Sequence, residues 1–388
     1  MRAAPLAGLR VLDLTRLLPG PLATQHLADY GADVIKVEDT GAGDYARSMG
    51  AMRGDTSYFY RIVNRGKRSI RLDLKQDAGR ELLLRLVDDA DVLVEGFRPG
   101  VMDKLGLGYA ALAARNPHLV YCSISGYGQD GPYAQRAGHD INYIGYAGVL
   151  DQIGTAGGAP AVSNLQIGDL LGGTLSGLVG LLVAVIDART SGQGRHVDVS
   201  MTDAAFAHAI FPLAEVLAHG AVKPRGEDLL TGGVPCYGVY ETADGRHMAV
   251  GALEEKFWHL VCDTIGRADL KPAHLATGEQ GARARAELAA IFRSRTQAEW
   301  TAVFDKVDCC VTPVLHLQES LRDPQLNARG MVVEVDGVTQ FGPPVRLSEH
   351  APASFSPAPA AGEHTEELLA ELGLDAAEVA RLRAARVI

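Results

Sequence analysis

The chain has 388 residues, of which 47% are hydrophobic and 22% charged, and a formal net charge of −10 at pH 7. This length predicts two domains, and the acidic balance argues against a nucleic-acid partner, which requires a basic face. The five cysteines form neither a disulfide framework nor a paired metal spacing, and the N-terminus has no secretory signal pattern. We therefore expect a cytoplasmic protein without a metal site.

The first third of the chain alternates short apolar runs with helical patterns. The predicted strands cover residues 10–14, 33–37, 69–72, 91–94 and 119–124. Helical patterns run from the Pro-Gly-Pro at 19–21 to residue 30, and cover 77–86 and 109–115. Because strand–helix–strand units of this length pair in parallel, the order predicts a doubly wound, Rossmann-like α/β domain.

Such a sheet often binds a nucleotide cofactor, and Glu38, at the end of the second strand, stands where a ribose ligand would. The turn at residues 15–20 lacks the Gly-x-Gly-x-x-Gly sequence that lets the backbone approach a pyrophosphate. The chain also has no Gly-x-Ser-x-Gly elbow and no His-Glu-x-x-His helix. These patterns argue against a nicotinamide-dependent enzyme, a serine hydrolase and a zinc protease.

Cations cluster between residues 61 and 75, and two more basic residues follow the fourth strand. The first group is Arg61, Arg65, Lys67, Arg68, Arg71 and Lys75, and the second is Arg98 and Lys104. Ligands of open α/β sheets bind outside the carboxyl ends of the strands, so these cations are candidates to meet phosphates. A solvated charged face is the other interpretation, and the residues alone slightly favour it.

A histidine and a carboxylate occupy two junctions near the middle of the chain. His139 lies in Gly138-His139-Asp140-Ile141-Asn142-Tyr143, and Asp169 opens an apolar run through residue 186. The run predicts a fully buried core helix with one small-residue face rather than a membrane span. Its first backbone N–H groups can hold a developing negative charge. Taken singly, His139 is more simply a structural histidine, Asp169 a helix cap and Glu254 a surface carboxylate.

The second half of the chain predicts a separate unit. A strand at 196–199 and a helix at 203–219 precede a glycine-containing, charged crossing at 223–233. A hairpin pattern at 238–242 and 247–250 follows, then helices at 255–265, 283–292 and 297–304 and a strand at 311–314. We predict a large domain over 1–200, a linker helix over 201–225, a small α+β domain over 226–335 and a C-terminal segment over 336–388.

Three motifs together resemble a known family. They are Gly138 to Tyr143, Gly168-Asp169 and Gly251-Ala252-Leu253-Glu254. From about residue 9 to 336 the chain resembles the α-methylacyl-CoA racemase branch of the family III CoA-transferases (the CaiB/BaiF family). The resemblance implies an interlocked homodimer whose C-terminal segment returns to the large domain. It also implies that coenzyme A enters only as part of an acyl-CoA substrate, with no permanently bound cofactor and no membrane partner.

The resemblance further implies which residues contact coenzyme A. They are Leu72, Asp73, Leu74, Lys75, Gly96, Phe97, Arg98, Lys104, Gly138, Asp140, Ile141, Asn142 and Tyr143. Lys104 replaces an arginine of related racemases, which keeps the charge but loses bidentate geometry. Asp39 stands where a racemase relative has an arginine that contacts coenzyme A.

In the racemase branch, the resemblance implies inversion of the stereocentre next to a thioester carbonyl. Removing the α-proton from one face and returning one to the other requires two acid–base groups. His139 and Asp169 are the expected pair, with Glu254 fixing the imidazole tautomer. The alternative is CoA transfer, with Asp169 as nucleophile and an aspartyl-CoA intermediate. Racemisation is favoured because Gly232-Gly233 is short for the Gly-rich loop of transferases; a CoA-binding protein without turnover is the third hypothesis.

Overall fold

The computed structural model describes residues 3–350 and 355–388, so residues 1–2 of the predicted large domain and 351–354 of the predicted C-terminal segment lie outside it. The chain divides into two compact units. Unit 1 comprises Met1–Ala147, Ser163–His208 and Asn327–Ile388, and unit 2 comprises Gly148–Val162 and Ala209–Leu326. The unit borders differ from the predicted domain borders mainly at 148–162, which the sequence placed in the large domain.

Short strands and helices alternate through the described residues. The strands are β1 Arg10–Asp13, β2 Asp33–Glu38, β3 Met52–Arg53, β4 Thr56–Ser57, β5 Arg68–Arg71, β6 Val92–Glu95, β7 Val120–Ser125, β8 His196–Ser200, β9 Tyr237–Glu241, β10 His247–Gly251, β11 Val311–Pro313, β12 Val332–Val335 and β13 Val338–Phe341. The helices are α1 Pro19–Asp29, α2 Tyr58–Val63, α3 Asp77–Asp88, α4 Val101–Lys104, α5 Tyr109–Arg115, α6 Asp140–Tyr146, α7 Gly177–Ser191, α8 Met201–Ala207, α9 Ile210–His219, α10 Glu255–Thr264, α11 Gly278–Phe292, α12 Gln297–Phe304, α13 Leu317–Ser320, α14 Pro324–Ala328, α15 Thr365–Glu371 and α16 Ala376–Ala384. A π-helical segment, Gly168–Ser176, runs directly into α7.

The main sheet of unit 1 confirms the predicted doubly wound α/β fold. Its strand order is β5-β2-β1-β6-β7-β8, and every pairing in it is parallel. Leu12 of β1, for example, pairs with Ile35 on one side and Leu93 on the other. In chain order this is 3-2-1-4-5-6, the arrangement of dinucleotide-binding folds.

Both faces of this sheet are buried. On one face Leu12, Ile35 and Leu93 pack with residues of α3, α5, α15 and α16. On the other face Val11 and Val92 pack with residues of α1, α6, α7 and α8. The alternation follows from the two-residue repeat of a strand. The C-terminal helices α15 and α16 therefore complete the core of unit 1.

The apolar helix from Gly168 is not fully buried, so that prediction is wrong. Four of its apolar side chains, at intervals of four, four and three residues, are between 50% and 68% exposed: Leu175, Val179, Val183 and Ile186. The sequence could not separate this stripe from the core face because the run is apolar all round. By length and composition Gly168–Ser191 is apolar enough to cross a membrane, a property that it shares with core helices of soluble proteins.

The predicted small-residue face of the same helix explains how closely it packs. A Cβ atom on Gly173 would lie 2.4 Å from the Cβ atom of Pro19, and one on Gly172 would lie 2.8 Å from the backbone of Met201. The two glycines therefore let the π-helical segment approach the starts of α1 and α8. This approach positions Asp169, which lies in the first turn of the segment.

Unit 2 contains an antiparallel sheet in the order β11-β10-β9, with the predicted hairpin between β9 and β10. Its core contains Trp258, Phe292 and Trp300. The helix predicted over 203–219 is two helices, because Ala209 leaves the helical region with ψ of 50°. Pro212 explains the break: without an N–H it fits only the first turn of a helix, here α9.

Candidate functional site

The order of the main sheet places a crevice at the carboxyl ends of β1 and β6. The chain turns from β1 towards β2 on one side and from β6 towards β7 on the other, and ligands of open α/β sheets bind at such a switch point. Two cavities lie there, one of about 650 Å³ and one of about 170 Å³. We call them the large cavity and the small cavity. Thr15 and Arg16, just after β1, line both of them.

The large cavity is lined by loops that follow β1, β2, β5 and β6. It includes the predicted coenzyme A contacts Leu72, Asp73, Leu74, Lys75 and Phe97. Gly96 lines the small cavity instead. Arg98 and Lys104 are exposed and line neither cavity, although their neighbours Val101 and Leu105 line the large one. Contacts from these two cations stay predictions.

Asp39 brings a negative charge to the large cavity. Its exposed carboxylate accepts hydrogen bonds from the N–H groups of Gly41 at 2.7 Å and Gly43 at 3.3 Å. Arg71 lies beside the same loop and donates to the carbonyl oxygens of Asp39 and Gly41. The loop after β2 is therefore held by its own acidic side chain and by a cation from β5.

Most of the cations between residues 61 and 75 form ion pairs with carboxylates of unit 1. Arg65 and Lys67 are 1% and 3% exposed, and they pair with Asp29 and Asp13. Arg68 is bound by Asp33, Glu367 and Glu371. Because Arg65 and Lys67 are buried and paired, both predicted roles, phosphate binding and a solvated face, are wrong for these two residues. Lys75 alone of the group lines the large cavity.

Beneath the loop after β1 lies a buried ionic cluster formed by Asp13, Lys36, Asp44 and Lys67. The Lys67 Nζ donates to Asp13 Oδ2 at 2.9 Å, and the Lys36 Nζ lies 2.8 Å from Asp44 Oδ2. Burial by itself would raise the pKa of Asp13, but Lys67 and Lys36 hold it well below its usual range. Asp13 is therefore a charged, fixed anchor.

The ionic cluster holds the backbone of the loop above it. Asp13 accepts the N–H of Thr15 at 2.9 Å, and Lys36 donates to the Thr15 carbonyl oxygen at 2.9 Å. Asp44 accepts the N–H of Leu17 at 3.0 Å. Leu17 has φ of +65°, a left-handed conformation that costs a non-glycine residue free energy and persists only where neighbours impose it.

The small cavity brings together the two predicted acid–base residues. Both His139 and Asp169 line it, with Gly138, Tyr143 and Met201. His139 directly precedes α6, and its N–H donates to Asn142 Oδ1 at 3.1 Å. The Tyr143 hydroxyl donates to the Gly138 carbonyl oxygen at 2.5 Å. These two contacts fix the Gly138–His139 peptide unit, which directly precedes the imidazole.

The Asp169 carboxyl has an unusual electrostatic environment. Burial, and then the neighbouring Asp140 carboxylate, raise the pKa of Asp169 to about 7. The Asp169 N–H donates to Asp140 Oδ1 at 3.1 Å, so this N–H does not serve as the predicted donor for a developing negative charge. A carboxyl that titrates near neutrality can both take up and release a proton in the physiological range.

The remaining predicted residues lie outside the small cavity. Ile141 and Asn142 are exposed on α6, and Asp140 acts through its hydrogen bond to Asp169. Glu254 belongs to unit 2, where it is exposed and directly precedes α10. Its role beside the imidazole stays a prediction.

Two residues at the crevice were missed from the sequence. Arg16 lines both cavities, and Glu95 ends β6 with its carboxylate accepting the Phe97 N–H at 2.7 Å. Burial raises the pKa of Glu95 to about 7, against hydrogen bonds from Ser123 and Phe97 that lower it. Both residues lie at the carboxyl ends of strands that are neighbours in the sheet, where ligands bind. Finding them from the sequence would have required the order of the strands in the sheet as well as the strand positions.

The chain is similar to known proteins over most of its length. Residues 6–365 match the family model described as CoA-transferase family III. The chain is 38% identical over 386 residues to "Alpha-methylacyl-CoA racemase" of Homo sapiens, covering 99% of this chain and 97% of the relative. It is 36% identical to "Acetyl-CoA:oxalate CoA-transferase" of Acetobacter aceti, covering 89% of each. The crystal structure of a CAIB/BAIF family protein from Brucella suis superposes with a TM-score of 0.84 at 32% identity, covering 96% of this chain and all of that one.

Proposed function

Since the chain belongs to CoA-transferase family III, the CaiB/BaiF family, whose members act on acyl-CoA, we propose that it racemises 2-methylacyl-CoA thioesters. The observation that carries the proposal is the pairing of His139 with Asp169 on one small cavity, where the pKa of Asp169 is raised to about 7. A general acid–base catalyst works best when its pKa lies near the working pH. A racemase needs two such groups, one for each face of the carbon.

In the proposed reaction, one of the two residues takes the α-proton of the thioester and the other returns a proton to the opposite face. The large cavity holds the nucleotide part of the substrate, and the thioester carbon lies in the small cavity. Removal of the proton leaves negative charge on the thioester oxygen, which requires hydrogen-bond donors other than the occupied Asp169 N–H. Coenzyme A is part of the substrate and leaves with the product.

The test is incubation with a (2R)- or (2S)-2-methylacyl-CoA in D₂O, with α-proton exchange and inversion followed by NMR and no acceptor acid added. We expect exchange with inversion, and a loss of about 10²- to 10⁴-fold in rate in His139→Ala and in Asp169→Asn. Asp130→Asn, a change at an exposed aspartate, is the matched control. Full exchange in both active-site variants would refute the two-base assignment.

The second candidate is CoA transfer, favoured by the transferase among the similar proteins. Asp169 would then attack the acyl carbonyl and expel the CoA thiolate, which leaves a mixed anhydride between the acyl group and Asp169. The thiolate would next attack the Asp169 carbonyl of this anhydride, which releases the donor carboxylic acid and forms an aspartyl-CoA thioester. No exchange in D₂O, together with CoA transfer to an added carboxylic acid and an Asp169 adduct trapped by hydroxylamine, would replace racemisation by transfer. CoA binding without either reaction would identify a binding protein.

We also propose that the chain forms a homodimer in the cytoplasm, in which Glu254 orients the imidazole of His139. The exposed stripe of Leu175, Val179, Val183 and Ile186 supports the dimer, because apolar patches of this kind mark interaction surfaces. Light scattering after size-exclusion chromatography should give twice the chain mass of 41.1 kDa for the wild type and a single chain for Val183→Asp. A monomeric wild type would refute the dimer.

A further inference from the structure

Arg16 lies between two aromatic rings where the large and small cavities meet. Its guanidinium carbon is 5.1 Å from the centroid of the Tyr45 ring and 5.0 Å from that of the Phe97 ring. Both rings line the large cavity, and Arg16 itself lines both cavities. Contacts with aromatic faces hold a guanidinium in place while leaving its N–H groups free to donate.

Within the described part of the chain, Arg16 has no acidic partner, unlike three other arginines of unit 1. Arg47 is bound by Glu38, Arg65 by Asp29 and Arg68 by Asp33. Among residues 3–350 and 355–388, no carboxylate lies within ion-pair distance of Arg16, and no hydrogen bond joins its guanidinium to the protein. A cation kept beside two cavities without an internal counter-charge is available to an anionic ligand.

The backbone that carries Arg16 is fixed on both sides. Thr15 is held by Asp13 and Lys36, and Leu17, with φ of +65°, is held by Asp44. Three residues of the loop therefore have one conformation imposed by the buried ionic cluster. A guanidinium presented in this way loses little further freedom when it binds a ligand, which favours affinity.

We propose that Arg16 binds the diphosphate of the coenzyme A moiety. The proposal rests on the proposed function, which supplies an acyl-CoA ligand. In coenzyme A the diphosphate lies between the adenosine and the pantetheine that leads to the thioester, so it is the anionic group suited to the junction of a nucleotide cavity and a reaction cavity. The 3′-phosphate is attached to the adenosine, on the side away from the pantetheine. A planar guanidinium also matches the geometry of phosphate oxygens.

The first experiment measures binding of coenzyme A and of 3′-dephospho-coenzyme A by calorimetry to the wild type, Arg16→Met and Arg16→Lys. We expect both ligands to bind Arg16→Met about 10- to 100-fold more weakly, as for the loss of a charge-assisted hydrogen bond, with partial recovery in Arg16→Lys. Arg283→Met, at an exposed arginine of unit 2, should bind as the wild type does. Thermal melts of each variant separate lost binding from lost folding.

The second experiment compares kcat/KM for α-proton exchange in a 2-methylacyl-CoA and in the corresponding acyl-pantetheine, which has no phosphate. Arg16→Met should lower kcat/KM for the CoA thioester about 10- to 100-fold through KM, and leave the acyl-pantetheine unchanged. An equal loss for both substrates would overturn the phosphate contact and make Arg16 structural. Weaker binding of coenzyme A alone, with dephospho-coenzyme A unaffected, would move the contact to the 3′-phosphate.

Failure of this proposal is distinguishable from failure of the proposed function. If the wild type binds coenzyme A and Arg16→Met binds it equally well, only the role of Arg16 is refuted. If the wild type binds coenzyme A but shows no exchange, racemisation is refuted and the calorimetric comparison still tests Arg16. If the wild type does not bind coenzyme A, both are refuted.

Discussion

The ionic cluster contains the buried Asp13 and the small cavity the half-buried Asp169, and the pKa values of these two carboxyls are shifted in opposite directions. Burial favours the neutral form of both. In the ionic cluster, Lys67 and Lys36 outweigh burial and hold the pKa of Asp13 well below its usual range. In the small cavity, the Asp140 carboxylate adds to burial and raises the pKa of Asp169 to about 7.

The difference shows that the charge of the neighbour decides what a buried carboxyl can do. Asp13 remains ionised and hydrogen-bonded at every physiological pH, so it can fix the Thr15 backbone. Burial and the Asp140 carboxylate both raise the pKa of Asp169, so it exchanges its proton near neutrality and can take part in proton transfer. One aspartate supports the site and the other is available to react in it.

The largest effect on stability is expected for Asp13→Asn. The change leaves Lys67 and Lys36 buried without their shared carboxylate, which should lower the free energy of unfolding by about 3–5 kcal/mol at pH 7. Urea unfolding measures the loss, with Asp130→Asn at an exposed position as the control. Wild-type stability in Asp13→Asn would show that the ionic cluster contributes nothing to folding.

The pH dependence of that effect follows from the depressed pKa of Asp13. Its ionised form contributes stability above the unfolded pKa near 3.8, and the contribution is lost as the pH falls through the folded pKa, which is lower. The difference in the free energy of unfolding between wild type and Asp13→Asn should therefore stay constant from pH 7 to about pH 4 and become smaller only below pH 4. For Asp169 the dependence is opposite, because its pKa is raised in the folded protein. Its contribution to the free energy of unfolding declines as the pH rises from about 4 to about 7.

The sequence predicted the parallel sheet and singled out the candidate pair that lines the small cavity, but not the surroundings of these residues. Local sequence patterns determine the order of strands and helices, and this order predicts a parallel sheet. The sequence motifs identified His139 and Asp169 as candidates. Arg65 and Lys67 were misjudged because a buried cation and a solvated one have the same local sequence. Their burial depends on Asp29 and Asp13, which are 36 and 54 residues away along the chain.

The exposed stripe on α7 and the role of Arg16 were hidden for a related reason. Val179 and Val183 lie in a run that is apolar on every side, so periodicity gives no sign of which face the fold covers. Arg16 lies between the rings of Tyr45 and Phe97. This position depends on the pairing of β1 with β6, which are distant in the sequence. Both features arise from contacts between segments distant in sequence.

The second-largest loss of stability is expected for Gly173→Ala, which disturbs the packing that positions Asp169. In Gly173→Ala the new Cβ would lie 2.4 Å from the Cβ atom of Pro19, so the π-helical segment must shift. We expect a loss of about 1–3 kcal/mol in the free energy of unfolding, and a fall in the exchange rate because Asp169 moves with the segment. Gly145→Ala is the control, since a Cβ there meets nothing within 4 Å. A variant with wild-type stability and rate would show that this contact is not limiting.

A smaller effect should come from converting the neighbour of Asp169 to a neutral amide. Asp140→Asn keeps an oxygen to accept the Asp169 N–H but removes the like charge, so the pKa of Asp169 should fall. The midpoint of the pH profile of kcat/KM for exchange should move below 7. It should not reach the ordinary value near 3.8, because burial is the larger cause of the shift and remains. An unchanged midpoint would show that another group governs the profile.

The smallest effect is expected at Asp39, an exposed carboxylate on the large cavity with neither the cations of Asp13 nor the burial of Asp169. Asp39→Asn keeps an acceptor for the Gly41 N–H and removes a charge that repels phosphates. Coenzyme A should bind about two- to fivefold more tightly at low ionic strength, and the gain should disappear in about 1 M salt, where charges are screened within roughly 3 Å. Asp130→Asn provides the matched loss of one negative charge away from the cavity. Because solvent weakens its interactions, we expect the charge of Asp39 to change affinity only, whereas Asp13 is expected to affect folding and Asp169 is the proposed acid–base group.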